Sequence, residues 1–213
     1  MDVVIPLINQ RNFFELKYAI RSFERWFNPE RVVLVGGKPD WFTGEHIPFP
    51  DYNPLFKETN IHDKTKAGAK LLGSPFLFCN DDHFVLAPYW GLHHKGKMND
   101  CLKQRNRNGT YGRMMVNTMD IFGEDIFNYD THCPMMMDLA GIENINLDWS
   151  IHNGYCFKTS YAYSNGLTGE FYEDGKYNTI PGEIKRLYFS TTESCNNLHV
   201  LERIFPTKSK FEK

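Results

Sequence analysis

Apolar positions in this chain fall into short unbroken runs separated by helically spaced sets. Asp2 to Ile8 is a β-branched run closed by Asn9 and predicts a buried strand. Phe13, Leu16, Ile20, Phe23 and Phe27 follow at helical spacing, and Pro29 marks the end of that helix. Val32-Val33-Leu34-Val35 is a second run, stopped by Gly36-Gly37. Strand, helix and strand at this spacing predict a βαβ unit with a right-handed crossover. The proline-rich stretch from Pro48 to Pro54 reads as a surface loop, and Asp63 as the N-cap of a helix through Ala67, Ala69 and Leu72. That helix leads to a third strand, Phe76 to Cys79.

The second half is less regular. Lys97 to Arg107 is polar and predicts a solvated helix or loop, whereas Met114, Val116, Met119, Ile121 and Phe122 predict more buried structure. Tyr155 to Tyr177, with several Tyr and Gly, predicts hairpins or a lid. With no repeat, linker or low-complexity segment, the expectation is one α/β domain over residues 1–213, a Rossmann-like mixed sheet flanked by helices.

An apolar share of 41% with 15% aromatics excludes a disordered chain. A net charge of −2 disfavours a protein that lives by phosphate contacts with nucleic acid. The five cysteines are odd in number and hold no CxxC pair, which suits a reducing compartment. Met1 runs straight into Val3-Val4-Ile5, leaving no room for a signal peptide, and no apolar run reaches membrane-spanning length. The expected location is cytoplasmic, the host cytoplasm if the chain is viral.

The third strand ends in Asn80-Asp81-Asp82 before apolar sequence resumes at Phe84-Val85-Leu86. Adjacent carboxylates repel unless a cation lies between them or one is protonated. Asp81 and Asp82 are therefore candidate ligands of Mg²⁺ or Mn²⁺ shared with a phosphate-bearing substrate. The bland alternative is turn chemistry, for which Asn-Asp-Asp is also suited. His83, next along, would point the other way on a strand.

His132 lies in Tyr129-Asp130-Thr131-His132-Cys133-Pro134, where Pro134 fixes the backbone and Asp130 is placed to orient the imidazole; it is a candidate general base. Asp148 is a second candidate base, with an N-cap as its alternative reading. In open α/β sheets ligands meet the carboxyl ends of strands, so Asn9, Arg11 and Lys64 are candidates for contact with a nucleotide diphosphate. Neither a Walker loop nor a GxGxxG fingerprint occurs.

Taken in order, these segments resemble the Stealth family of nucleotide-sugar phosphotransferases, itself similar to the GT-A glycosyltransferase fold. Asp2-Val3-Val4-Ile5 is similar to the family's opening strand. Glu15 to Glu24 resembles its second block, and Phe76 to Asp82 is similar to its aromatic strand ending Asn-Asp-Asp. His132-Cys133-Pro134 resembles a His-x-Pro element, Cys195-Asn196-Asn197 weakly resembles Cys-Ile-Asn-Asp, and Phe205 to Glu212 resembles the closing Pro-x-x-Ser-x-Phe-Glu. Asn9-Gln10-Arg11-Asn12 replaces a Trp-Val-Asp-Gly-like turn, and Asn197 stands where the family has its last aspartate.

The resemblance implies a GT-A-like sheet, a nucleotide-sugar donor (UDP-sugars first), a divalent metal near Asp81-Asp82 and a role for His132. The acceptor would carry a hydroxyl, on a glycan or on a modified base of viral DNA. The alternatives are a non-catalytic nucleotide- or sugar-binding module and a structural interaction protein.

Overall fold

The computed structural model describes residues 1–9, 13–52, 57–88 and 91–213. Its main sheet holds β1 (Asp2–Leu7), β2 (Val32–Gly36), β3 (Glu45–Ile47), β4 (Phe76–Phe78) and β7 (Met135–Met137) in the order β3-β2-β1-β4-β7. The first four run parallel; β7 pairs antiparallel with β4. Small sheets of β5 (Phe84–Val85), β10 (Tyr188–Thr191) and β9 (Lys176–Tyr177), and of β6 (His93–His94) and β8 (Glu170–Phe171), lie beside it. The architecture is α/β, a mixed sheet flanked by helices.

Alternation along β1 explains the layers. Val3, Ile5 and Leu7 join one core with Leu16, Ile20 and Phe23 of α1 (Phe14–Phe27). Val4 faces a second core with Ala69 of α2 (Lys57–Leu72), Phe76 and Phe78. Gly68 lets α2 close on β1, since a Cβ there would lie 2.6 Å from Val4 Cγ1. A smaller core joins α3 (Met98–Lys103) and α4 (Thr110–Phe122) through Met98, Leu102, Met115 and Met119. Among the described residues no helix is long and apolar enough to cross a membrane.

Two expectations needed correction. The second helix begins at Lys57, so Asp63 lies inside it, where its carboxylate meets His62 Nδ1 at 2.8 Å instead of capping an end. The Tyr-rich stretch contains α6 (Phe157–Ser164). Its first amides, of Lys158 and Thr159, donate to Asp130 at 3.3 and 3.2 Å, a cap supplied by a distant segment. The helices α5 (Leu139–Glu143) and α7 (Val200–Ile204) complete the set described.

Two segments far apart in the sequence meet in the fold. Arg21 on α1 forms two bonds to Glu212, at 2.7 and 2.8 Å, and donates to Phe205 O at 2.9 Å. The pair is nearly closed to solvent, with side chains 7% and 1% exposed, so it pins the C-terminal segment against the first helix.

Candidate functional site

The parallel order places β2 and β3 on one side of β1 and β4 on the other. Chain connections therefore diverge between β1 and β4, and in open α/β sheets ligands bind outside the carboxyl ends at such a point. After β4 the chain makes a turn in which His83 N donates to Asn80 O at 3.3 Å and Asn80 N donates to His83 Nδ1 at 3.2 Å. Asp81 and Asp82 are the two central residues of this turn. The turn reading of Asn-Asp-Asp thus holds, and it places both residues at the carboxyl end of β4. His83 is fully buried behind them.

Strand β10 supplies their neighbours. Ser190 Oγ donates to Asp82 Oδ2 at 2.6 Å, and Lys176 Nζ on β9 lies 3.4 Å from the same oxygen. Thr191 Oγ1 donates to Glu15 in the first turn of α1. Burial disfavours a charged Asp82, but His83, Lys176, His132 and the Ser190 hydroxyl together outweigh it and hold its pKa below the ordinary value. Asp81 goes the other way: burial first, then the charges of Asp82 and Glu15, push it up to about 7. Burial, aided by Asp82, also raises Glu15, against the Thr191 bond. Three carboxyl groups thus lie close enough for the charge of one to raise the proton affinity of another.

His132 faces the same region, its ring edge-on to His83 with centroids 6.3 Å apart. Asp174 accepts from His132 N at 2.8 Å and from Nδ1 at 2.7 Å. Burial opposes the Asp174 charge, yet the His132 contacts and Lys95 hold it well below the usual carboxylate range. An ionised Asp174 accepts the Nδ1 proton and orients the ring, so Nε2 is the nitrogen left to meet a ligand. The side chain is 22% exposed, so a ligand can reach it. Lys95 Nζ donates to Asp130 O at 2.5 Å, and buried Lys158 donates to Thr131 O and, at 2.9 Å, to Cys133 O. The carbonyls of Asp130, Thr131 and Cys133 are thereby held. The orienting carboxylate is Asp174 and not Asp130, which is committed to the start of α6.

The other candidates separate. Asn9 is exposed beyond β1, its N–H donating to Asp51 at 3.1 Å. Lys64 is 1% exposed and donates to Leu7 O and to Asp51. Its ammonium ties the end of β1 to Asp51 from within and is not presented to solvent. A Cβ at Gly36 (φ +113°) would strike Leu7 O and crowd that ammonium. Arg11 lies outside the described residues. Asp148 sits in an exposed turn, accepting from Ser150 N and Oγ at 2.9 and 2.6 Å, which lowers its pKa; it makes no contact with His132 or Asp82. Asn197 clasps the backbone of Ile180 at 2.8 and 2.9 Å.

Glu15, Asp174, Lys176 and Ser190 were not singled out from sequence. Only Glu15 left a trace, as an acid in the first turn of a predicted helix. The others reach the site through tertiary pairing alone.

Among the described residues no group of three or more His, Cys, Asp or Glu is arranged to hold a metal ion. Mg²⁺ and Mn²⁺ at phosphate-handling sites are often held by one or two carboxylates together with substrate oxygens and water. Asp81 and Asp82, crowded with like charge, fit that kind of shared site. No family model matches the chain, and no curated protein matches it.

Proposed function

We propose that the chain is a nucleotide-sugar-dependent transferase that moves a sugar or sugar phosphate onto an acceptor hydroxyl. One observation carries this: an oriented, accessible imidazole lies beside the strand-end turn that carries two adjacent half-buried carboxylates, with its charge acting on Asp82. The ordered resemblance to the Stealth family and to the GT-A fold supports the same reading. Asp81 and Asp82 would hold Mn²⁺ or Mg²⁺, which when bound supplies charge neutralisation on the donor diphosphate. Lys176 is a cation of the chain's own beside Asp82 and would serve the same charge, in the place expected of Lys64.

Asp174 keeps His132 in the Nδ1–H tautomer, and Nε2 takes the proton from the acceptor hydroxyl as its oxygen attacks. Attack at the sugar C1 breaks the C1–O bond and releases a nucleoside diphosphate. Attack at the sugar-linked phosphorus breaks the P–O–P bridge and releases a nucleoside monophosphate.

The test is a panel of UDP-, GDP-, CMP- and dTDP-sugars with and without Mn²⁺, followed by identification of the released nucleotide. Mn²⁺-dependent donor binding with nucleotide release supports the reading; absence of metal-dependent binding or turnover of every donor removes it. A second reading has one observation in its favour: Asp82 is already satisfied by Ser190 and Lys176. The chain would then be a non-catalytic nucleotide-sugar-binding module, and donor binding without turnover would support it.

A further inference from the structure

Charge in this chain is segregated. The segment from Cys101 to Met119 holds Lys103, Arg105, Arg107 and Arg113 and no Asp or Glu, although the net charge of the chain is −2. All four cations are exposed, as are Gln104, Asn106 and Asn108, in the turn joining α3 to α4 and the first turn of α4. Lys103 is neutralised locally by Asp100 at 2.8 Å. Arg21, Arg31 and Arg186 each meet a carboxylate. Arg105, Arg107 and Arg113 meet none among the described residues. An ordinary solvated face mixes its signs; a set of unpaired guanidiniums invites a polyanion.

The turn is joined to the candidate site. The Arg105 guanidinium lies 5.0 Å from the Tyr111 ring centroid, and Lys95 Nζ lies 5.3 Å from the same centroid. Lys95 in turn lies 3.8 Å from Asp174, the partner of His132. One aromatic ring therefore separates the arginine turn from the residues that orient the base. Resting against Tyr111 also restricts Arg105, lowering the entropy lost when it binds.

We propose that the turn from Lys103 to Arg113 binds the phosphodiester backbone of a nucleic-acid strand, and that this strand presents the acceptor hydroxyl to His132. The proposal rests on the transferase reading for its second half. Guanidinium forks match phosphate oxygens, and the three carboxamides suit phosphate, sugar and base edges. From Lys103 to Asn108 every side chain is polar, so the turn offers no apolar wedge for a membrane and no buried anchor for a protein partner. Outside this segment 20 Lys and Arg stand against 26 Asp and Glu, so the rest of the chain offers a polyanion less attraction than this face. The new bond joins the strand's hydroxyl oxygen to sugar C1 or to phosphorus, the donor bond breaks with the nucleotide leaving, and the hydroxyl proton passes to His132 Nε2.

The experiment is fluorescence anisotropy of a labelled oligonucleotide about 20 nucleotides long, single-stranded and duplex, titrated with the full chain over a series of KCl concentrations. Binding should weaken steeply with salt. The double variant Arg105→Ala/Arg107→Ala should lose about tenfold or more in affinity and roughly 2 in the log–log salt slope. Arg203→Ala, an exposed arginine on α7, should change neither. Absence of oligonucleotide binding at low salt, an equal loss in Arg203→Ala, or capture only by phosphatidylserine vesicles or hyaluronate would overturn the proposal. Calorimetry with UDP-sugars and Mn²⁺ on the same proteins separates the two ideas. Donor binding without oligonucleotide binding overturns the acceptor surface alone. Oligonucleotide binding without donor binding overturns the transferase reading and leaves the surface standing.

Discussion

Glu58, in the first turn of α2, is only 8% exposed and its pKa is pushed up to about 8. Burial is the main cause and the charge of Asp130 adds to it; Lys57, the Phe157 amide and Lys158 oppose it without prevailing. In the unfolded chain the carboxyl would lose its proton near its ordinary value of 4.5. Between those two values the native state binds one proton more than the unfolded state, so stability must fall as pH rises. The slope approaches ~1.4 kcal/mol per pH unit, which integrates to about 3 kcal/mol lost by pH 7 relative to pH 4. The loss levels off above the folded pKa.

Glu58→Gln keeps the shape and can still accept from the Phe157 amide, but it never ionises. Below pH 4.5 the variant should match the parent. At pH 7 it should be more stable by about 3 kcal/mol, a rise in Tm of roughly 6–12 °C for a chain of this size. Urea unfolding followed by tryptophan fluorescence across pH 4 to 8.5 reads this directly. Histidines and other carboxyls titrate in both proteins, so the difference between the two curves isolates Glu58. A difference that stays flat with pH, or a variant less stable at pH 7, would show that Glu58 is ionised and paired in the native state. The reasoning from burial would then fail.

Three other outcomes follow from the site and its frame. Asp82→Asn retains an acceptor for the Ser190 hydroxyl, so circular dichroism should be unchanged while Mn²⁺-dependent donor binding disappears; unaltered metal-dependent affinity would refute the role of Asp82. His132→Ala should lower turnover by roughly 10²–10⁴-fold with donor binding kept, and Asp174→Asn should approach the same loss by presenting the wrong partner to Nδ1; near-parental rates in either would remove the dyad from the chemistry. Arg21→Ala removes two bonds from buried Glu212, leaving it Lys17 at 3.6 Å and the Ser209 amide at 2.9 Å, and should cost about 3 kcal/mol in urea unfolding; a loss below ~1 kcal/mol would mean that the C-terminal segment is held without the arginine.

The parts of this molecule legible in the sequence are those whose physics is local. β1, α1, β2 and β4 follow the runs and spacing of Val3 to Phe78 closely, because alternation and helical period are written residue by residue. The placement of Asp81-Asp82 at a strand end was legible for the same reason. The start of α2 was not, since Asp63 has the chemistry of a cap but spends it on His62. Nor was α6, whose cap Asp130 arrives from another segment. That same distance concealed Asp174 behind the nearer Asp130.

Lys64 marks a further limit. Sequence position puts it at the ligand end of the sheet, but Leu7 O and Asp51 draw its ammonium inward, and a cation so held cannot also meet a diphosphate. The cation that does lie beside the acids, Lys176, comes from the Tyr- and Gly-rich stretch that looked like a lid. What a linear pattern exposes here is the half of the site carried by the sheet. The half that orients and neutralises it is carried by β9, β10 and the segments around Asp130 and Asp174. Those segments have weak periodicity because side-chain bonds to distant partners hold them, as Lys158 and Lys95 hold the peptides flanking His132. Disturbing them should therefore impair chemistry before it impairs folding.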